Sequence, residues 1–375
     1  MKTSLVIGLG FGDEGKGLTT SYLVSLNPKQ TLVGRFNGGH QAGHTVVLGD
    51  KRHVFSSFGS GTLQDAPTWW SRFCTFYPIA FMNEYKILQS LGHEPTVYVD
   101  PLAPVTTPLD ITRNHVDADA NKFGSVGVGF GATLERHERH FKLYFQDLYN
   151  DAVLKAKLKN IASIFYNREI EERDGLANFM LAVSDLRKLK NVKLSTEIDF
   201  LDYEHVVLEG AQGVLLDQEF GFFPYVTRSY TTSRKGCELL AERNLPKPDI
   251  YYVTRSYQTR HGAGPMTNED WPVVLQNNEN ETNVTHKWQG SFRTSHLDAD
   301  LLSYAVQCDS MYSAGLRKNL VITCLDQHGD LIGISDKGER LITTPLHLPD
   351  YLKASDPIRN IFVSHSPDGT KIHKL

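Results

Sequence analysis

Residues 10–17, Gly10-Phe-Gly-Asp-Glu-Gly-Lys-Gly17, place four glycines, two carboxylates and an ammonium group directly after the apolar run Ser4–Leu9. A glycine-rich turn between a strand and a helix can offer several backbone N–H groups to a phosphate, and Lys16 adds a point charge. Two patterns overlap here. Gly10, Gly12 and Gly15 match G-x-G-x-x-G, while Gly10 with Gly15-Lys16 matches G-x-x-x-x-G-K. A dinucleotide site expects a carboxylate at the end of the second strand to hold a ribose. The second run, Thr31–Phe36, ends instead in Asn37-Gly-Gly-His40, which argues against a dehydrogenase. A nucleoside triphosphatase expects Ser or Thr after the lysine to reach magnesium, and this chain has Gly17. Asp13 and Glu14 sit inside the turn, so a carboxylate stands close to the transferring phosphate. That points to chemistry on a partner substrate, beyond triphosphate hydrolysis.

Further along, His40 and His44 flank a glycine-rich turn. No H-E-x-x-H glutamate accompanies them, so zinc is disfavoured. A histidine there suits a phosphate or a developing oxyanion. In Glu209-Gly-Ala-Gln-Gly213, Gln212 can donate and accept at once, as recognition of a base edge requires. Thr227, Thr231 and Thr232 are hydroxyls for a phosphate or for ordinary capping. Thr323-Cys-Leu-Asp326 looks like the guanine-reading turn of GTP-binding proteins, where an Asp accepts two N–H bonds from the base.

These residues share a position in the pattern. Short apolar runs at 4–9, 31–36, 205–208, 250–253, 319–323 and 360–363 each end in a polar or glycine-rich turn that carries the unusual chemistry. Continuous apolar runs are the signature of parallel strands buried on both faces, and ligands collect at the carboxyl ends of such strands. Helical spacing at 17–26 and 151–167 supplies the flanking layers. The expected fold is α/β: a central, mostly parallel sheet flanked by helices, with a P-loop-like phosphate-binding turn, as one domain over 1–375. The polar stretch 275–283 reads as a mobile loop.

The chain has 375 residues, 40% hydrophobic and 22% charged, with a net charge of −4, an ordinary globular composition that gives no reason to expect nucleic acid as a partner. Cys74, Cys237, Cys308 and Cys324 are scattered with no C-x-x-C pair, which fits free thiols in a reducing compartment. There is no signal-peptide pattern and no run long enough to span a membrane, so a cytoplasmic setting is expected.

Taken together, GFGDEGKG, GGHQAGHT, EGAQG, FPYVTRSYTT, TRHGAGP, TCLD and a terminal S-x-S-P-D resemble the adenylosuccinate synthetase family, in order along most of the chain. The resemblance implies a carbon–nitrogen ligase, usually a homodimer. It would be driven by GTP or ATP with magnesium and would release nucleoside diphosphate and phosphate. Asp13 would be the base on N1 of a 6-oxopurine nucleotide, whose O6 attacks the γ-phosphate. His44 and Lys16 would stabilise the transferred charge. Gly12, Gly15, Lys16, Gly17, His44, Thr45, Asp326 and Ser364 would hold the triphosphate. Asp13, Gln41, Ser125, Arg139, Gln212 and Thr227 would hold the purine nucleotide, Arg293 the L-aspartate carboxylate, and Asp13 with the Gly43 carbonyl the magnesium.

The chain also departs from the family. Gln41 stands for an Asn, Ser125-Val126 for a Thr pair, Cys324 and Ser366 for Lys and Gly, and Thr285-His-Lys-Trp-Gln-Gly-Ser-Phe-Arg293 for an Arg-rich loop. The short form and this loop are more similar to archaeal and bacteriophage members. The phage branch includes 2-aminoadenylosuccinate synthetases, which ligate aspartate to (d)GMP. Many of those have lost the motif aspartate that this chain keeps. The reading leans to the phage-type reaction, with IMP ligation using GTP nearly level. A GTP-binding switch is a remote third reading, since it would not need Asp13, His44 and Gln212 together.

Overall fold

The computed structural model describes all residues except 122–124, 170–174, 277–289 and 354–355. Of the expected loop at 275–283, residues 277–283 fall outside the described residues, as do 285–289 of the Thr285–Arg293 segment.

Seventeen strands are assigned among the described residues. In chain order they are β1 (Lys2–Gly8), β2 (Thr31–Arg35), β3 (His44–Leu48), β4 (Lys51–Phe55), β5 (Thr68–Trp70), β6 (Val97–Val99) and β7 (Val192–Leu194). Then follow β8 (His205–Gly213), β9 (Asp249–Arg255), β10 (Gln258–His261), β11 (Phe292–Ser295), β12 (Leu297–Asp298), β13 (Lys318–Thr323), β14 (Ile332–Asp336), β15 (Glu339–Thr343), β16 (Ile358–Val363) and β17 (His373–Lys374). Ten of them form one sheet in the order β17-β16-β13-β9-β1-β8-β2-β5-β6-β7, in which every pairing is parallel except β16 with β17. The sheet is α/β with helices on its faces, as expected from the apolar runs.

Alternation along the central strands explains the burial. Leu5, Ile7, Leu208, Ile250 and Leu320 point into one core, and Val6, Val207, Tyr251, Val253 and Val321 into another on the opposite face, beneath Leu18 and Leu23 of the helix Lys16–Ser25. Both faces are therefore dry, and polar groups are displaced to the strand ends. One expectation needs correction. Glu209-Gly-Ala-Gln-Gly213 is not a turn after the strand but its continuation: β8 runs to Gly213, which pairs with Gly8 of β1 across a register shift. Gln212 absorbs that irregularity with φ +60°. No helix among the described residues is long and apolar enough to cross a membrane, and all four cysteines are free.

A buried ion pair fixes the helices beside the site. Arg136 donates to both carboxylate oxygens of Asp110, at 2.8 and 3.0 Å, and neither side chain is exposed. Tyr166 and the Thr107 N–H add hydrogen bonds of 2.7 Å each. Burial works against the charge of Asp110, but Arg136 and these bonds outweigh it and hold the carboxyl below its ordinary range. Its stabilisation is thus present above the unfolded carboxyl value and is lost as pH falls through the lower, folded one. Asp110→Asn is expected to cost about 3–5 kcal/mol, because it strands a buried guanidinium. Urea melts at neutral pH check this. The difference between wild type and variant should shrink in acid, and a neutral-pH loss under about 1 kcal/mol would contradict the assignment.

Candidate active site

The carboxyl ends of β1, β2, β8, β9, β13 and β16 open onto one cleft of about 770 Å³. Asp13, Lys16, Gln41, His44, Gln212, Thr227 and Asp326 all line it, along with Gly12, Gly15, Gly17, Gly43, Thr45 and Ser125. So residues far apart in sequence meet where the sheet pattern said they would.

The loop after β1 divides its two acids. Glu14 is 3% exposed and turned inward. It accepts from the Gly10 and Gly12 amides at 3.0 and 2.8 Å and from Lys16 Nζ at 2.5 Å. Of the several amides the turn could offer to a phosphate, those of Gly10 and Gly12 are therefore taken by Glu14. An anion can still use the start of the helix Lys16–Ser25, whose first N–H groups have no partner within the helix. Gly17, in place of Ser or Thr, has a steric cause. A Cβ there would stand 2.9 Å from the His44 Cβ and 3.0 Å from the Ser60 Oγ.

Asp13 faces the cleft, 24% exposed, with φ +65°. A non-glycine residue in the left-handed region is uncommon and persists where its surroundings fix it. Here Arg255 Nε donates to the Asp13 carbonyl at 2.6 Å, and Thr259 Oγ1 to the Gly12 carbonyl at 3.3 Å. Burial disfavours the Asp13 charge. The His261 hydrogen bond and the positive charges of His261, Arg255 and Lys16 outweigh that and hold the carboxyl below its usual range.

His44, the first residue of β3, is oriented from behind. Its Nδ1 donates to Glu209 Oε1 at 2.7 Å, and Glu209 also accepts from the Ser60 N–H and hydroxyl. A carboxylate only accepts, so Nδ1 carries the proton and Nε2 is turned outward. Nε2 is buried with no partner among the described residues. Burial lowers the His44 pKa against the pull of Glu209, and Glu209 itself is held at about 2, where its own burial is outweighed by His44, Arg35 and Ser60. His40 does not share this role. Its ring lies 5.0 Å from that of Tyr77, and burial lowers its pKa to about 4.

At the other sites, Gln41 Nε2 and Oε1 and Gln212 Oε1 are buried without partners among the described residues. Thr227 lines the cleft, whereas Thr231 is spent on Asp217 and the Gly213 carbonyl. Asp326 lines the far end, its carboxyl raised by burial. Three expected residues do not line the cleft. Ser364 is buried beneath it and donates to the Ser366 carbonyl. Arg293, on β11 opposite Arg260, is engaged by Glu269 at 2.7 Å and the Gly264 carbonyl at 2.8 Å. Arg139 is 68% exposed and paired with Glu135. Conversely, Glu209, Arg228, Arg255, Arg260 and His261 belong to the site or its support and were not singled out by sequence. Arg260 and His261 lay inside TRHGAGP, whose charged residues were a usable signal.

The family profile described as Adenylosuccinate synthetase matches residues 5–358. The adenylosuccinate synthetase of Saccharophagus degradans is 30% identical over 367 residues, covering 92% of this chain and 83% of the relative. That of Thermoplasma volcanium is 30% identical over 337 residues, 84% of this chain and 75% of the relative. In fold the chain is similar to the fully ligated adenylosuccinate synthetase of Plasmodium falciparum, with TM-score 0.76 and 20% identity over 99% of each chain. It is also similar to the succinoaminodeoxyadenylate synthetase (PurZ) of cyanophage S-2L, solved with dGMP and dATP as an energy donor, with TM-score 0.63 and 18% identity over 100% of this chain and 95% of that one.

Proposed function

Because this chain belongs to the adenylosuccinate synthetase family of carbon–nitrogen ligases, we propose that it phosphorylates O6 of guanosine or deoxyguanosine monophosphate and then displaces that phosphate with L-aspartate. Asp13 takes the N1 proton, and the O6 electron pair attacks the γ-phosphorus as the diphosphate leaves. The aspartate amine then attacks C6, and inorganic phosphate departs. His44 presents Nε2 to the transferring phosphoryl group, and the arriving anionic charge favours its protonation there. Lys16 and the first amides of the helix Lys16–Ser25 hold the phosphates and Thr227 the monophosphate, while Arg293 takes the aspartate carboxylate in exchange for its present partners, Glu269 and the Gly264 carbonyl. Asp326 reads the base of a purine triphosphate, GTP or ATP.

Magnesium fits the donor set. No group of three or more His, Cys, Asp or Glu among the described residues would hold a metal alone, and magnesium is commonly bound by one or two protein oxygens with substrate phosphates. The Asp13 carboxylate and the Gly43 carbonyl, both at the cleft, are the groups that would hold it. The ion would neutralise charge on the phosphates. Arg139, exposed and paired with Glu135, stays a proposed contact of the purine nucleotide, and a homodimer is the proposed assembly.

The observation that carries the acceptor reading is the pair of unfilled amide acceptors, Gln41 Oε1 and Gln212 Oε1. The 2-amino group of guanine brings N–H donors that need an acceptor, and a buried donor left unpaired costs about 1–3 kcal/mol. IMP, which lacks that group, is the second reading, favoured by the 30%-identical relatives and by the retained Asp13. The test crosses IMP, GMP and dGMP with ATP and GTP in the presence of aspartate and magnesium and follows phosphate release. Release should depend on a 6-oxopurine monophosphate and be faster with GMP or dGMP. Equal release without one sinks the ligase reading, and release with IMP alone sinks the guanine reading. Gln41→Leu is expected to cut kcat/KM for the guanine nucleotide about tenfold or more, in line with one lost buried hydrogen bond, and to change IMP turnover less than threefold.

A further inference from the structure

We propose that His261 is a positioning residue for Asp13, fixing one carboxylate oxygen so that the other is presented to the purine. The proposal rests on the reading of Asp13 as the base. His261 Nε2 lies 3.2 Å from Asp13 Oδ2, and the imidazole is 10% exposed at the wall of the cleft. Its place is set by the hairpin, not by the loop it touches. His261 ends β10 opposite Phe292 of β11, and the two rings stand 4.9 Å apart at 46°. The next N–H, of Gly262, donates to the Ser291 carbonyl at 2.8 Å.

The same hairpin grips the phosphate loop at neighbouring points. Thr259 Oγ1 bonds the Gly12 carbonyl, and the Arg260 guanidinium lies 4.1 Å over the Phe11 ring. Arg260 is itself tied to the carbonyls of Pro265 and Tyr225 at 2.6 and 3.2 Å. Three consecutive residues of β10 therefore address three consecutive residues of the loop. Of the three, His261 alone touches the reacting side chain. The backbone contacts hold the φ of Asp13, but they leave its side-chain torsions open. A donor on Oδ2 closes that freedom, and a base must sit within hydrogen-bond reach of the proton it takes.

Two substitutions separate this role from packing. His261→Phe keeps a ring against Phe292 and removes the donor. His261→Gln loses the ring and keeps an N–H close to the position of Nε2. Positioning predicts that H261F lowers kcat about 10- to 100-fold, as a misplaced reacting group does, with KM for the monophosphate within about twofold. H261Q should then recover most of that loss. If H261F turns over at the wild-type rate, or if H261Q falls as far as H261F, the proposal is overturned. Asp13→Asn, assayed alongside, tells the two failures apart. An inactive D13N with a fully active H261F removes only the positioning role, whereas an active D13N removes the base reading and this proposal with it.

Discussion

Asp13→Asn is expected to reduce phosphate release by about 10²- to 10⁴-fold, the range general-base catalysis typically supplies. The amide is nearly isosteric and keeps an oxygen for the His261 donor, so the loop should hold its shape. What disappears, beside a charged oxygen ligand for magnesium, is the capacity to accept the N1 proton. Without that transfer, O6 lacks the electron density to attack phosphorus. Monophosphate binding, measured by calorimetry, should change little by comparison. The assay is steady-state phosphate release with guanine nucleotide, triphosphate, aspartate and magnesium. A variant within threefold of wild type would exclude Asp13 as the base.

The second large effect is expected at His44. His44→Asn should lower kcat about 10²- to 10³-fold, comparable to removing one preorganised donor from a developing anion. The imidazole does not act alone. Glu209 accepts its Nδ1–H at 2.7 Å and so decides which nitrogen meets the substrate. Glu209→Gln can present an N–H to Nδ1, which favours the tautomer with the proton on Nε2 and a ring that cannot become imidazolium with both donors satisfied. A kcat loss smaller than for H44N is expected. The double variant should be hardly worse than H44N, because two residues acting as one unit are non-additive. Additive losses would show that Glu209 serves something other than His44.

Much of this site was legible in the sequence because each apolar run stops where the polar chemistry begins. Strands dry on both faces read as unbroken apolar runs, so β1, β2, β9, β13 and β16 and the chemistry at their ends could be located from residue types alone. The limits are equally physical. EGAQG looked like a turn because glycines usually end strands, yet pairing with β1 carries β8 through it to Gly213. Spacing could not show that Glu14 folds back onto the loop amides while Asp13, one residue earlier, faces outward, since that depends on backbone dihedrals. Within EGAQG nothing in the residue types marks Glu209, because its partner, His44, lies on β3. His261 acquires meaning only when β10, folded against β11, is brought over the loop after β1.

The contact between the first turn of the helix Lys16–Ser25 and His44 also restricts how such a site can change. Any side chain at position 17 enters the space of the His44 Cβ and the Ser60 hydroxyl. The Ser or Thr found at that place in nucleoside triphosphatases is therefore not one substitution away. The route to a plain hydrolase is blocked at its first step unless the strand bearing the imidazole moves as well, and the ligase is in this sense protected by its own crowding.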